Sequence, residues 1–244
     1  MNMSMFWTVI AASSLACLVT TIGIFVISRY GDWGTRNATY FMSFAAGVLI
    51  SVSFIHIIPE SFQMNERAPT YLLAGFLGIY VTNRFLNVYI CRELECERLA
   101  LGIIPMLGIG FHSFVDGLIY AVTFNVSVLT GALAAIGMVL HEFPEGIVTF
   151  VLLNRSGLSR KRSALYAFIA AALTTPLGAL VSYPFIERIS DHTLGLWLAL
   201  SAGALVYVGA SHLLPAVEKE HSRFSILALA AGVLVALGVV LSEG

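Results

Sequence analysis

The sequence predicts an all-α integral membrane protein: eight transmembrane helices forming a single domain across residues 1–244. Three observations carry that expectation. Of the 244 residues, 58% are hydrophobic and 11% charged, with a mean hydropathy of +0.88, whereas a soluble domain carries about 25% charged residues. Eight apolar stretches are close to the ~20 residues that a helix needs to cross a bilayer. Finally, 11 of the 13 lysines and arginines fall in alternate connections between those stretches.

Taken in order, the first stretch, 5–28, is longer than a signal-peptide core and lacks a basic lead-in, so it reads as a retained span. Stretches 38–59 and 70–90 follow it. The fourth and fifth, 102–124 and 130–153, hold acids and histidines inside apolar sequence. The last three are 163–186, 193–215 and 224–241.

The basic residues fix an orientation. Arg29 and Arg36; Arg84, Arg92 and Arg98; Arg155, Arg160, Lys161 and Arg162; and Lys219 and Arg223 occupy one set of connections. The other set, with both termini, has Arg67 and Arg188. Cytoplasmic loops collect the positive charge, so both termini are expected to be extracytoplasmic. A net charge of -1 supplies no basic field for nucleic acid. Cys91 and Cys96 lie in the cytoplasmic connection "CRELEC", where thiols stay reduced. That segment reads first as a solvated turn. The other reading is a C-x4-C metal site with Glu93 and Glu95, but a closed site calls for more His or Cys nearby.

Two internal repeats organise the chain. "AGVLISVSFIHIIP" (46–59) matches "AGALVYVGASHLLP" (202–215) at an offset of 156, pairing Gly47 with Gly203, His56 with His212 and Pro59 with Pro215. "HSFVDG" matches "HEFPEG" at an offset of 29, pairing His112 with His141, Asp116 with Glu145 and Gly117 with Gly146. On the expected topology both pairs are antiparallel. The chain then reads as three helices, a central inverted pair, and three helices. Inverted repeats of this kind characterise transporters with a midplane site.

The central pair poses an electrostatic problem. Between Gly102 and Asn154 stand Asp116, Glu142 and Glu145, with no lysine or arginine. Each charge at mid-membrane costs about 2.5–3.5 kcal/mol on insertion scales. These acids are therefore protonated or bind a cation from outside. His112 and Asp116, like His141 and Glu145, are four residues apart, so each pair shares a helix face. Two facing helices would gather two imidazoles and two carboxylates, a shell suited to zinc, iron or manganese. Glu142 lies on an adjacent face and could reach a second cation shared with Asp116 and Glu145. Pro144 removes a backbone hydrogen bond to Leu140 and is expected to kink the helix beside a hydrated path. The plainer account of the His and acid residues is hydrogen bonding between helices. Two inverted copies without a cation speak against it.

With these motifs the chain resembles the ZIP (Zrt/Irt-like) family of divalent metal transporters over nearly its whole length. The resemblance implies metal uptake toward the cytoplasm through a main site of His112, Asp116, His141 and Glu145. It also implies a second site using Ser113 and Glu142, and alternating access with spans one, four, five and six moving against the rest. Homodimers are implied as well. Zinc is the expected substrate, with iron, manganese and cadmium also carried. The metal is cargo, and no cofactor is expected. Ser113 and Thr175 replace the Asn and Glu of many relatives, which weakens the second site. His56 with Glu60, and His212 with Glu218, are candidate waystations near opposite mouths, or simply interfacial residues beside helix-ending prolines. The expected location is the cell's inner or plasma membrane. Two other functions compete. One is an intramembrane zinc hydrolase, since "HE" opens the H-E-x-x-H protease motif, although Glu145 stands where its second histidine belongs. The other is a metal sensor without flux.

Overall fold

A computed structural model describes residues 3–30, 33, 36–85, 94–126, 128–220 and 222–243. The described residues are almost entirely helical and form eight rods. We label them in chain order. α1 is Met3–Arg29. α2 runs Ala38–Val52, then a π-helical segment Ser53–Ile57, then Ile58–Met64. α3 is Ala68–Phe85, α4 Leu94–Val126 and α5 Val128–Arg155. α6 joins Arg160–Ala167, a π-helical segment Phe168–Ala172, Thr174–Ser182 and a 3-10 turn Tyr183–Arg188. α7 joins Asp191–Val206, a π-helical segment Tyr207–Leu213 and Leu214–Glu218. α8 is Ser225–Glu243.

Among the described residues five helices are long and apolar enough to cross a membrane: Met3–Arg29, Thr39–Met64, Ala100–Asn125, Arg160–Ile186 and Asp191–Glu218. Many large apolar side chains lie on the outer surface, Phe25 and Leu234 among them. This suits hydrocarbon rather than water as the surrounding solvent. A bilayer offers backbone groups no partner, so the chain must satisfy them internally as helix. Hydroxyls do likewise, Ser13 Oγ donating to the Val9 carbonyl and Ser53 Oγ to that of Leu49.

The rods outrun several apolar stretches. α4 begins at Leu94, so the second half of "CRELEC" is helical. Cys91 and Glu93 and the side chains of Glu95 and Cys96 lie outside the described residues. Hydropathy marks the hydrocarbon-facing part of a helix, while its backbone continues into polar sequence. Three other ends have local causes. Gly157, with φ at +97°, closes α5, where the Leu158 N–H reaches back to the Leu153 carbonyl. Ser190 caps α7 by accepting from the Thr193 N–H, with Asp191 in the first turn. Asn65 breaks α2, accepts from the Arg67 N–H and donates to the His192 carbonyl, tying that turn to the start of α7.

Each π-helical segment lies a few residues before a proline: Pro59, Pro176 and Pro215. Proline lacks an N–H and crowds the carbonyl four residues back, and a wider turn relieves both. The segments of α2 and α7 fall within the matched repeats and contain His56 and His212. α5 runs as one α-helix through Pro144.

The rods sort into two groups by packing. α1, α4, α5 and α6 pack most extensively with one another, as do α2, α3, α7 and α8. Within each group backbones touch at glycines. A Cβ on Gly47 of α2 would strike the Leu229 carbonyl oxygen of α8, and one on Gly203 of α7 that of Leu72 in α3. Between the groups the contact is made by side chains. Ile109, Val115, Val148 and Leu152 of one group meet residues such as Leu49, Leu205 and Val208 of the other.

Candidate metal centre

The centre lies between α4 and α5. His112 and Asp116 stand one turn apart on α4, and both are buried. His112 Nε2 is 3.5 Å from Asp116 Oδ2 and 3.5 Å from Glu145 Oε1 on α5. Its other nitrogen, Nδ1, lies 2.9 Å from Ser201 Oγ on α7. That bond fixes the ring and leaves Nε2 to face the carboxylates, the usual outer partner of a ligating histidine. The 3.5 Å separations are long for hydrogen bonds. They match the edge of a tetrahedron of donors held ~2.1 Å from a metal, about 3.4 Å.

His141 is on α5, one turn before Glu145, but its side chain lies outside the described residues. Among the described residues, no three His, Cys, Asp or Glu side chains stand as a preassembled metal-holding group.

Glu142 is completely buried and held by hydroxyls. Thr20 Oγ1 of α1 donates to Oε2 at 2.6 Å, and Thr175 Oγ1 of α6 donates to Oε1 at 2.5 Å. Glycine explains why those helices come so near. A Cβ on Gly117, after Asp116, would strike the Thr175 carbonyl oxygen. A Cβ on Gly146, after Glu145, would lie 2.7 Å from that of Thr20. Ser113 Oγ bonds the Ile109 carbonyl at 3.0 Å and reaches Glu145 Oε2 at 3.4 Å. Ser113 thus reaches a carboxylate of the cluster, and Glu142 is bonded to the flanking helices α1 and α6.

The waystation candidates differ from each other. His56 Nε2 and Glu60 Oε2 lie 3.5 Å apart at the end of α2, both partly exposed. His212 is half-buried and bonds the Leu101 backbone, and its Nε2 has no partner among the described residues. It forms no ion pair with Glu218 there. Sequence reasoning missed Thr20, Ser201 and Tyr120. A signal existed for Thr20: T-x-x-G recurs at 20–23 and 175–178, an offset of 155.

Comparison with known sequences adds a family. The profile described as ZIP zinc transporter matches residues 91–241. The chain belongs to the ZIP family. The zinc transporter ZupT of Clostridium perfringens (strain 13 / Type A) is 36% identical over 226 residues, covering 89% of this chain and 73% of that protein. The zinc transporter ZupT of Chlorobium phaeovibrioides is 32% identical over 249 residues, covering 91% of this chain and 92% of that protein. The chain is therefore a multi-pass membrane transporter of divalent metal ions and not an enzyme. The hydrolase reading falls with that assignment.

Proposed function

We propose that this ZIP-family chain carries zinc, and also iron, manganese and cadmium, into the cytoplasm by alternating access through the α4–α5 cluster. His112, Asp116, His141 and Glu145 take the cation in place of its water. Glu142 and Ser113 form a weaker adjoining position. The observation that carries this is the buried His112 imidazole, 3.5 Å from each of two acids in a segment without lysine or arginine. Imidazole and carboxylate gathered at one buried place are the donor set that a divalent transition metal takes.

The two packing groups support the movement. α1, α4, α5 and α6 hold the cluster and interlock at backbone contacts. They meet the other group through apolar side chains and the His112–Ser201 hydrogen bond, and apolar side chains can slide past one another at lower cost than interlocked backbones. A crevice of about 580 Å³ lies along that boundary, with Phe41 and Phe44 of α2, Phe143 and Pro144 of α5, and Val235 of α8 among its walls. Such space leaves room for α5 to shift against α2 and α8. His212 is a candidate release station. Ser201, level with His112, is 11 residues before His212, and Leu101 is 11 residues before His112. At 1.5 Å per residue the two levels are about 16 Å apart. Both termini face outward in this scheme, and the chain assembles as a homodimer in the inner or plasma membrane.

The test is zinc uptake into proteoliposomes by the purified chain, beside His141→Ala and Glu145→Ala. Uptake by wild type that both variants lose is the expected result. Competition with iron, manganese and cadmium then ranks the substrates. A wild type that binds zinc but passes none of these metals would overturn the proposal and leave a sensor.

A further inference from the structure

Tyr120 is a buried polar residue that the cluster described above does not use. It lies on α4 four residues beyond Asp116 and eight beyond His112, so the three share a helix face. Its exposure is 0%, and its hydroxyl has no hydrogen-bond partner among the described residues. Buried tyrosine hydroxyls ordinarily find one. The ring packs against Ala16 of α1, Met138 of α5 and Ala179 of α6. That cluster also holds Val9 and Ile186, near the N-terminal end of α1 and the C-terminal end of α6. The ring therefore plugs the end of the group that faces outward in the proposed orientation. Side chains of an α-helix lean toward its N-terminus, so the Tyr120 hydroxyl lies over the turn that carries Asp116. The orphan oxygen thus sits between an apolar cluster and that carboxylate.

We infer that the Tyr120 hydroxyl is a station on the cargo path, hydrogen-bonding the water shell of the incoming divalent cation just before Asp116 takes its first direct contact. This rests on the transport reading above. A phenol suits the task because it can both donate and accept. It orients water beside the cation without competing with the charged donors further in. Its lack of a partner among the described residues follows, because its partner arrives with the cargo. The apolar ring closes the path when the cargo has passed.

The inference makes an unusual demand of Tyr120→Phe. A residue kept only for packing should tolerate the loss of an unsatisfied hydroxyl, and a residue kept for its hydrogen bond should not. In proteoliposomes the zinc uptake efficiency (kcat/KM) of Tyr120→Phe should fall at least about tenfold, the loss expected for one hydrogen bond in a charged setting. Equilibrium zinc binding by the detergent-solubilised variant should stay within about twofold of wild type, because the hydroxyl is outside the cluster. Thermal unfolding should shift upward, because a buried unsatisfied group is gone. Uptake unchanged from an active wild type overturns the inference and leaves the transport reading intact. A parallel fall in uptake and melting temperature also overturns it, since that marks a structural role. A wild type that passes no zinc removes the transport reading and this inference with it.

Discussion

Ser201→Ala tests how the centre is held. The hydroxyl lies 2.9 Å from His112 Nδ1, and both side chains are buried. Alanine removes the oxygen that Nδ1 bonds. Leaving such a group unsatisfied costs about 1–3 kcal/mol, or roughly 5- to 150-fold in an equilibrium constant. Lost outer partners of metal-binding histidines weaken metal affinity by about 10–100-fold, so the two routes agree. The assay is zinc titration of the detergent-solubilised protein by calorimetry, with Ser201→Thr as the rescue because it keeps a hydroxyl at the same place. Affinity should fall 10–100-fold in the alanine variant and return in the threonine variant. The bond also crosses from α4 to α7, between the two packing groups, so uptake kinetics should change along with affinity. Alanine affinity within twofold of wild type would refute the claim that Ser201 sets the orientation of the imidazole.

Two further outcomes follow. Zinc uptake should fall as pH drops from about 8 to 5, because protons compete with the metal for carboxylates that must be ionised and imidazoles that must be neutral; a flat profile across that range counts against the His and carboxylate centre. Gly232→Ala should lower the melting temperature by roughly 2–10 °C, because the added Cβ would strike the Phe44 carbonyl oxygen of α2, whereas Gly238→Ala on the same helix meets nothing within 4 Å and should not lower it.

The parts legible in the sequence were those that spacing or charge alone could fix. A four-residue interval puts His112 and Asp116 on one face whatever surrounds them. The lack of lysine and arginine near three acids shows before any coordinates. Ser201 was not legible, and Thr20 only through its T-x-x-G repeat, because a lone Ser or Thr hydroxyl on an apolar helix usually bonds its own backbone. Thr149 does so, donating to the Glu145 carbonyl, and so does Ser53. Nothing in the composition separates those from Thr20, whose shortest bond crosses to Glu142. The π-helical segments were hidden for a related reason. Pro59, Pro176 and Pro215 announce a local disturbance, but Pro105 and Pro144 look the same in sequence and lie within α-helices. Neighbouring packing decides which form of relief each proline takes.

The same packing bears on how a carboxylate survives at the centre of an apolar helix. Glu142 has no lysine or arginine on its own helix until Arg155 in the last turn, and none on α4 from Gly102 onward. What it has is two hydroxyl donors at 2.5 and 2.6 Å, from helices on either side. Those hydrogen bonds need backbones to approach more closely than a Cβ allows. Gly117 and Gly146 permit this, and each directly follows one of the two acids paired by the repeat. Thr175 and Thr20, the residues they admit, are themselves 155 positions apart, close to the 156 of the longer repeat. The glycine and the acid in "DG" and "EG" are therefore parts of one arrangement: beside each acid, the glycine lets in a threonine that bonds the Glu142 carboxyl group.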